Sequence, residues 1–552
     1  MNVIQAQFPS GESREYPYGT RAITIIKDDP SLKREDLVAV LVNNELVSLS
    51  YKVETNARIS PVYPDDPRGA RVYRRSLSFL LALAASECLP RRRLIISHSL
   101  GAGYFYYPED GETLSDGEIS LLEKTMREIV REDRPIQRRK LSYTDAYEYF
   151  RDRGWTDRAL LLEYRNEPKI PIYQCGSFWD MSFEPLVDTT AKLKHFELSG
   201  YDTGMLLRFP HASEPDRVPE MSDNPLLYSI YREYKAWGKI LNIDSVGKLN
   251  QRIARREIQD FIRVAESLHN KKIAEIADRI HLRKGQVKAV LIAGPSSSGK
   301  TTFTKKLAIQ LRVLGFNPLI IGLDDYFVPR DRTPRDADGN YDFECLEAID
   351  VELLNRNLLD LFEGKEVELP VYDFKTGTRK YTGKTLVMQE RNILLMEGIH
   401  GLNDRLTPQV KPEQKYKVYI SALTQLNIDG ASRIATTDNR LLRRIIRDNQ
   451  FRGHDALTTL GMWESVRRGE KLNIFPYQNN ADSAFNSALD YELAVLKTYA
   501  EPLLRQVKPW HEEYAEAQRL LGLLSNFVSL PVKHVPADSI LREFIGDSDF
   551  KY

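Results

Sequence analysis

The sequence has few cysteines, no excess of either charge and no long apolar stretch, and each absence excludes a class of protein. Its 552 residues include three widely spaced cysteines, which argues against a disulfide framework or a zinc knuckle and indicates a reducing compartment. Lysine plus arginine and aspartate plus glutamate both number 78, so no global field favours nucleic acid or a membrane surface. The longest apolar run, residues 79–85, is too short to span a bilayer, and the N-terminus lacks a signal-peptide pattern. These features predict a cytoplasmic protein without a membrane partner.

The length exceeds what one hydrophobic core can organise, and about two to four domains are expected. We predict a β-rich module, a mixed α+β domain, a helical connector, an α/β domain and a C-terminal extension, at residues 1–62, 68–215, 216–284, 285–505 and 506–552. In the α/β domain, short apolar runs alternate with helical patterns. This alternation predicts a parallel sheet flanked by helices.

Local patterns in the first half predict individual elements. Residues 22–26 and 37–42 are predicted to be strands, and a turn is predicted at Asn43 and Asn44. Ser115 or Asp116, followed by Glu118, predicts the N-terminal cap of an amphipathic helix that extends to residue 131.

Residues 294–301 read Gly-Pro-Ser-Ser-Ser-Gly-Lys-Thr and match the P-loop pattern GxxxxGK(S/T). An apolar run suited to a buried strand precedes the loop, and a helical pattern follows it. In such a loop the glycines allow backbone N–H groups to face a polyphosphate, and the helix N-terminus adds a favourable dipole. The alternative is a Gly/Ser-rich surface loop before a helix. The predicted ATP-binding residues are Gly294, Pro295, Ser296, Ser297, Ser298, Gly299, Lys300, Thr301 and Thr302.

Two acidic positions follow predicted strands of the α/β domain. Asp324 comes after the second strand, and Glu397 ends a later strand, Ile-Leu-Leu-Met-Glu. The carboxyl ends of parallel strands meet at one sheet edge, where ligands bind. A carboxylate there can accept a proton from an acceptor hydroxyl or hold Mg²⁺, with the Thr301 hydroxyl as a second metal ligand. The alternatives are an aspartate that caps a turn and a glutamate that begins a loop.

A third pattern is a basic helix face in residues 440–454. Arg440, Arg443, Arg444 and Arg447 recur at helical spacing, opposite a leucine and isoleucine face. Asp438 and Asp448 could neutralise them, but a triphosphate is the sharper candidate because arginines stabilise charge on a moving phosphoryl group. A solvated basic face remains the alternative, and a nucleic-acid patch would lack interleaved aromatics.

The motifs GPSSSGKTT, LDDYF, YDFECLEAID, LPVYDFKTGTRK, ILLMEGIHG and RLLRRIIRDNQFRG occur in this order, and together they resemble the uridine kinase/phosphoribulokinase family. The resemblance implies an ATP- and Mg²⁺-dependent kinase with Asp324 as the residue that activates the acceptor hydroxyl. It further implies that Asp342 binds ribose hydroxyls, Tyr372 lines a nucleoside pocket and Glu397 helps hold Mg²⁺. Arg444, Arg447 and Arg452 would form a lid over the phosphates.

The base-reading residues depart from that family pattern. The position of the base-reading histidine is Gly377, and two later base- and sugar-side positions fall on His454 and Met462. A pocket without its hydrogen-bonding groups loses most of its discrimination. Phosphotransfer is therefore better supported than uridine as the acceptor.

The N-terminal half carries a second resemblance. FPSGESREYPYGT and the strand-rich segment after it resemble a TGS domain, and residues 97–154 with YQCGSFWDM resemble the second additional, editing-type domain of threonyl-tRNA synthetase. The metal- and base-bearing positions of that editing site fall here on Arg75, Phe79, Ser182 and Leu186, which supply no such set. We therefore expect no hydrolytic editing and interpret this half as a scaffold, with RNA contact or homo-oligomerisation as further interpretations.

These patterns predict a cytoplasmic kinase that uses ATP and Mg²⁺ to phosphorylate a hydroxyl of a small acceptor, with a nucleoside as the first choice. Lys300, Asp324 and Arg447 are the predicted catalytic residues, Thr301 and Glu397 the metal ligands. An RNA-associated or translation-linked NTPase is one alternative. A kinase of a non-nucleoside acceptor, such as a sugar phosphate or pantothenate, is the other.

Overall fold

The computed structural model describes residues 3–29, 32, 34–221, 223–336, 339 and 341–551, and these form two compact units. The first unit, called the N-terminal unit, consists of Met1–Arg256, Gln425–Ile434 and Glu501–Ser529. The second consists of Glu257–Thr424, Ala435–Ala500 and Leu530–Tyr552, and we call it the kinase unit because it carries the kinase-like sequence motifs. The division into five consecutive segments stays a prediction. Within the described ranges, no helix is long and apolar enough to cross a bilayer.

The N-terminal unit begins with a five-stranded sheet in the order β2-β1-β7-β4-β5. Its elements are β1 (Val3–Gln7), β2 (Ser13–Pro17), β3 (Thr20–Arg21), α1 (Ala22–Lys27), β4 (Ala39–Val42), β5 (Glu45–Val47), β6 (Lys52–Val53) and β7 (Ala57–Val62). The predicted turn between β4 and β5 is confirmed, since Asn43 and Asn44 both have positive φ, 50° and 61°.

The strand predicted at residues 22–26 is wrong, because this segment is helix α1. Ala22, Ile25 and Ile26 are fully buried and lie three and four positions apart, which is helical spacing. The β-branched run suggested a strand, but the burial of one helical face against the sheet overrides that propensity.

The rest of the N-terminal unit contains two further sheets, ordered β10-β11-β12 and β13-β14-β9-β8. Its elements are α2 (Pro67–Cys88), β8 (Leu94–Leu100), β9 (Gly103–Pro108), α3 (Asp116–Arg131), β10 (Gln137–Ser142), α4 (Tyr143–Asp152), α5 (Thr156–Leu162), β11 (Lys169–Cys175), β12 (Phe178–Met181), β13 (Glu197–Tyr201), β14 (Gly204–Arg208), α6 (Pro225–Ile240) and α7 (Val246–Ala254). The helix start predicted near Ser115 is confirmed: Ser115 and Glu118 form a reciprocal capping box.

The kinase unit contains a five-stranded sheet, β16-β19-β15-β20-β23, in which every pair is parallel. Its first elements are α8 (Ile258–Leu282), β15 (Ala289–Ala293), α9 (Lys300–Val313), β16 (Asn317–Gly322), α10 (Val351–Phe362), β17 (Val367–Asp373), β18 (Thr378–Leu386), β19 (Asn392–Glu397) and β20 (Lys415–Ser421). The predicted parallel sheet with flanking helices, in a P-loop kinase fold, is confirmed. In the register, Glu397 lies beside both Gly322 and Ile292, so β15, β16 and β19 end at one edge.

The remaining elements alternate between the units. A hairpin of β21 (Asn427–Asp429) and β22 (Ser432–Arg433) belongs to the N-terminal unit, and the kinase unit continues with α11 (Thr436–Arg452), α12 (Ala456–Asn473), β23 (Ser483–Asn486) and most of α13 (Glu492–Leu504). Helix α14 (Tyr514–Leu524) belongs to the N-terminal unit, and α15 (Arg542–Ile545) to the kinase unit. The chain therefore passes between the units five times.

Candidate active site

The phosphate loop lies between β15 and α9, as the sequence predicts. A Cβ atom on Gly294 would lie 2.0 Å from the carbonyl oxygen of Ile420, so only glycine fits beside β20. Gly299 has φ of +84° and precedes the first turn of α9. The Lys300 ammonium donates to the carbonyl oxygens of Gly294 and Pro295, at 2.9 and 3.2 Å, and so lies over the loop. The backbone amides of the first helical turn can face a bound phosphate.

Glu397 and Thr301 come together at the candidate metal position. The Thr301 hydroxyl donates to Glu397 Oε1 (3.1 Å), and the Thr304 hydroxyl lies 3.4 Å from Oε2. Burial, and then the charge of Glu543, raises the pKa of Glu397 to about 6. A carboxylate that is paired only with hydroxyls fits a hard cation such as Mg²⁺, which takes one or two protein oxygens plus phosphate oxygens. The described residues contain no cluster of three or more His, Cys, Asp or Glu that could hold a metal.

Asp324 lies in a single 3₁₀ turn, Leu323–Tyr326, directly after β16. Its surroundings raise the pKa of its carboxyl, mainly through loss of solvation and despite the opposing charge of Lys300. The neighbouring Asp325 points elsewhere, because its Oδ1 accepts the backbone amide of Tyr372 at 3.3 Å. Lys300, Asp324 and Glu397 thus gather at the edge where three strands end, and their charges influence one another.

The basic face of α11 divides into two groups with different partners. Arg440 pairs with Glu470 (Nη2 to Oε2, 2.8 Å) and Arg443 with Glu492 (2.6 Å), and all four side chains are at most 2% exposed. These two arginines are therefore neutralised within the protein. Glu470 also accepts the amide of Ser296 (3.0 Å), so the Arg440 pair braces the phosphate loop.

The other three arginines share one carboxylate. Arg444, Arg447 and Arg452 lie 3.2, 3.0 and 3.4 Å from the buried side chain of Asp448. Arg444 also donates to the Ser296 hydroxyl in the phosphate loop, at 2.7 Å. Loss of solvation, and then the charge of Arg447, lowers the pKa of Arg452. The three arginines leave a local excess of positive charge around Asp448, which an incoming polyphosphate would neutralise.

An aromatic wall lies beside the acidic turn. Tyr372 packs edge-on against Phe327 and Phe374, with ring centroids 5.6 and 5.0 Å apart. The Tyr372 side chain is buried, and its hydroxyl has no hydrogen-bond partner among the described residues. A buried hydroxyl without a partner indicates a ligand that would supply one.

Asp342 has a local role in the structure, since its Oδ1 accepts the backbone amide of Glu344 at 3.0 Å. Burial and the charge of Glu470 raise the pKa of Glu344 to about 7, against the opposing charges of Arg444 and Lys300, so its carboxyl is among the groups that the charges of the site act on. Glu344 was not predicted from the sequence. Its place two residues after Asp342, in the same YDFE motif, is the one signal that could have identified it.

Gly377, where the family pattern has a histidine, lies against Arg330. Gly377 has φ of +69°, and a Cβ atom there would approach the Arg330 Cβ and Nε atoms to 2.8 Å. The backbone amide of Arg330 also donates to the Gly377 carbonyl oxygen, at 2.9 Å. The space of the missing side chain is thus filled by an arginine, which no local sequence signal indicated.

The editing-like positions of the N-terminal unit are filled by the unit's own side chains. Arg75 lies 3.5 Å from the Ser182 hydroxyl and also donates to Ser432 of the β21–β22 hairpin. Phe79 and Leu186 are buried in the apolar core. These four side chains offer neither a metal-ligand set nor a general base.

Comparison with known proteins agrees with both resemblances. Residues 289–494 match the model of the Phosphoribulokinase / Uridine kinase family. A threonine–tRNA ligase from Carboxydothermus hydrogenoformans is 31% identical over 198 residues, 36% of this chain and 31% of the ligase, and threonine–tRNA ligase 2 from Bacillus subtilis is 30% identical over 200 residues, again 36% and 31%. The chain thus spans less than a third of these ligases.

Two solved structures resemble the chain weakly. A possible uridine kinase from Bacillus stearothermophilus has a TM-score of 0.25 and 22% identity, over 39% of this chain and 98% of that one. D-glycerate 3-kinase from Cryptococcus neoformans has a TM-score of 0.22 and 14% identity, over 51% and 90%. Such scores carry no weight for function. The chain therefore joins a region with the sequence pattern of phosphoribulokinases and uridine kinases to a region similar to part of threonine–tRNA ligases.

Proposed function

We propose that the protein is an ATP- and Mg²⁺-dependent kinase that transfers the γ-phosphoryl group to a hydroxyl of a small acceptor, with nucleosides as the first acceptor class. One observation carries this proposal: β15, β16 and β19 end together, and their ends bring Lys300, Asp324 and Glu397 to one site. The match of residues 289–494 to a kinase family model supports the same reaction class.

Each of these groups has a role that its surroundings suit. The acceptor hydroxyl gives its proton to Asp324 while its oxygen bonds to the γ-phosphorus, and the bond from that phosphorus to the ADP oxygen breaks. The raised pKa of Asp324 improves it as a base, because a more basic carboxylate holds the proton better. Lys300 and the three arginines around Asp448 stabilise charge on the phosphate oxygens. Thr301 and Glu397 would hold Mg²⁺, which supplies charge neutralisation at the phosphates.

The aromatic wall and the Tyr372 hydroxyl, which lacks a partner among the described residues, support a nucleoside as the acceptor. A planar base can pack against such rings and supply the missing hydrogen bond. Arg330 favours a second acceptor class, a phosphorylated sugar, because its guanidinium lies where the base-reading side chain is absent.

The test is incubation of the purified full-length protein with ATP, Mg²⁺ and panels of nucleosides and sugar phosphates, with phosphorus NMR of the products. A nucleoside monophosphate supports the first acceptor class, and a sugar bisphosphate supports the second. ATP hydrolysis that RNA stimulates, without any phosphorylated acceptor, would contradict the kinase proposal and favour an RNA-associated NTPase. The Lys300→Ala variant is the control for contaminating kinases.

For the N-terminal unit we propose a scaffold role. Its editing-like positions are occupied by Arg75, Ser182 and apolar side chains, which leaves no hydrolytic set among them. Binding of tRNA and self-association are separate proposals for this unit. Gel-shift with tRNA, and sedimentation of the full chain, would test them.

A further inference from the structure

The C-terminal segment, residues 530–551, packs directly on the phosphate loop and the start of α9. Ile540 is fully buried, and a Cβ atom on Gly299 would lie 2.5 Å from its Cγ2 atom. Asp538 pairs with Lys306 of α9 at 3.0 Å. The segment thus adjoins the loop that would hold the donor phosphates.

Glu543, within this segment, binds the first turn of α9. Its Oε2 accepts both the backbone amide and the hydroxyl of Thr302, at 3.0 and 2.8 Å. The Glu543 side chain is largely withdrawn from solvent, with 9% of the residue exposed. The first amides of a helix have no partner within the helix, and in a P-loop they serve phosphate oxygens. A carboxylate oxygen therefore stands where a phosphate oxygen of the donor would bind.

The charge of Glu543 also opposes a polyphosphate. It lies close enough to Glu397 to be the second cause of that residue's raised pKa, and it acts on Lys300 as well. An ATP molecule that enters this loop therefore meets the Glu543 carboxylate, which already accepts the Thr302 amide that a phosphate oxygen would need. Binding must then break two charge-assisted hydrogen bonds and move a carboxylate away from the phosphates.

We propose that residues 530–551 form an autoinhibitory segment, in which Glu543 occupies the position of a donor phosphate oxygen on Thr302 and must leave before ATP binds fully. The proposal rests on the ATP site of the proposed function. Because Ile540 and Glu543 both lie against the start of α9, we expect displacement of Glu543 to loosen the contacts that the segment makes there. The residues just before it, 501–529, belong to the N-terminal unit, which therefore has a covalent connection to the segment.

The first test measures ATP affinity by calorimetry, in the presence of Mg²⁺ and without acceptor. Glu543→Gln keeps the size of the side chain and removes its charge, so we expect ATP to bind about tenfold more tightly, as the loss of a charged hydrogen bond implies. Asp547→Asn, in the same segment but with its side chain 92% exposed, is the matched control and should leave affinity unchanged. Unchanged or weaker binding in Glu543→Gln overturns the proposal.

The second test needs no variant. Hydrogen exchange of the wild-type protein, with and without ATP and Mg²⁺, should show faster exchange in residues 530–551 when ATP is bound. Exchange that is unchanged or slower there contradicts displacement. Neither test involves an acceptor, so ATP binding with no product from any acceptor would refute the proposed kinase reaction and leave this inference standing. If neither the wild-type protein nor the Glu543→Gln variant binds ATP, both the proposed kinase reaction and the autoinhibitory role of the segment are refuted.

Discussion

Two carboxylates, one in each unit, have similar pKa values and different partners. Asp180 in the N-terminal unit and Glu397 in the kinase unit both have their pKa raised to about 6, mainly by burial. Asp180 contacts the guanidinium of Arg158 at 2.8 Å, and both side chains are 3% exposed. Glu397 contacts the hydroxyls of Thr301 and Thr304. The raised pKa therefore does not distinguish a structural acid from a functional one.

What distinguishes the two regions is how their charges are balanced. In the N-terminal unit, Arg158 is balanced by Asp180, with Asp429 of the hairpin also nearby. In the kinase unit, three arginines surround Asp448, and Lys300 lies over the phosphate loop. Internally balanced charges stabilise a fold, whereas a surplus of one sign indicates a ligand of the other.

The largest expected effect concerns the proposed catalytic groups. Lys300→Ala and Asp324→Asn should each lower kcat by at least about a thousandfold, because they remove phosphate stabilisation and the base, respectively. Steady-state phosphotransfer assays measure this, and circular dichroism should show an unchanged fold. Asp331→Asn, an exposed aspartate a few residues further along, is the matched control. Full activity in either variant would contradict the assigned role.

The Arg158–Asp180 pair of the N-terminal unit should affect stability and not catalysis. Arg158→Ala leaves Asp180 buried without its partner and should lower the unfolding free energy of that unit by about 3–5 kcal/mol. Urea denaturation followed by tryptophan fluorescence measures the loss, since Trp155 lies under the Arg158 guanidinium at 4.2 Å. Replacing both partners by apolar residues, Arg158→Met with Asp180→Leu, should recover most of it. If the double variant loses as much unfolding free energy as the two single variants together, Arg158 and Asp180 are not coupled.

Within α11 the same contrast separates neighbouring arginines. Arg440→Ala should lower thermal stability of the kinase unit, because Glu470 loses a partner that is buried with it. Arg447→Ala should leave the melting temperature nearly unchanged and lower kcat about a hundredfold, because it removes charge stabilisation of the phosphates. Calorimetry and kinetics on the two variants test this. If both variants lose the same amount of thermal stability, the proposed division of the α11 arginines into structural and phosphate-binding groups is contradicted.

The smallest effect is a dependence on pH. Below about pH 6 Glu397 becomes protonated, so Mg²⁺ affinity should fall by up to about tenfold per pH unit, and Glu397→Gln should bind weakly at every pH. In the metal-free protein the stability changes with pH in the opposite direction to the Mg²⁺ affinity. A pKa raised in the folded state means that the unfolding free energy falls as pH rises toward about 6. Titration with Mg²⁺ and denaturation from pH 5 to 8 check both trends.

The sequence could predict those parts of the site whose signals are local. The phosphate loop, Asp324 and Glu397 each follow a short apolar strand, and parallel pairing brings those strand ends together. Helix α3 was identified from its own capping residues. Helix α1 was not predicted because four of its six residues are β-branched, and only tertiary packing makes the segment helical.

The missed residues act through partners far away in the chain. Glu470 lies 30 residues from Arg440, and Glu543 lies 241 residues from Thr302. Such pairs have no spacing rule that a single sequence can reveal. For the same reason, the sequence does not reveal that residues 425–434 belong to the N-terminal unit. The contacts of Asn427 with Ile96 and of Ser432 with Arg75 form only on folding.

The five passages of the chain between the units also constrain how the protein can be made. A ribosome that has released residues 1–256 has not yet supplied the hairpin, nor the stretch 501–529, that complete this unit. Nascent Arg75 must wait for Ser432, which lies 357 residues later in the chain, while most strands of the kinase sheet are translated in the interval. The first part to emerge is thus among the last to mature, and a fragment cut at residue 256 would be an unfinished intermediate rather than an independent module.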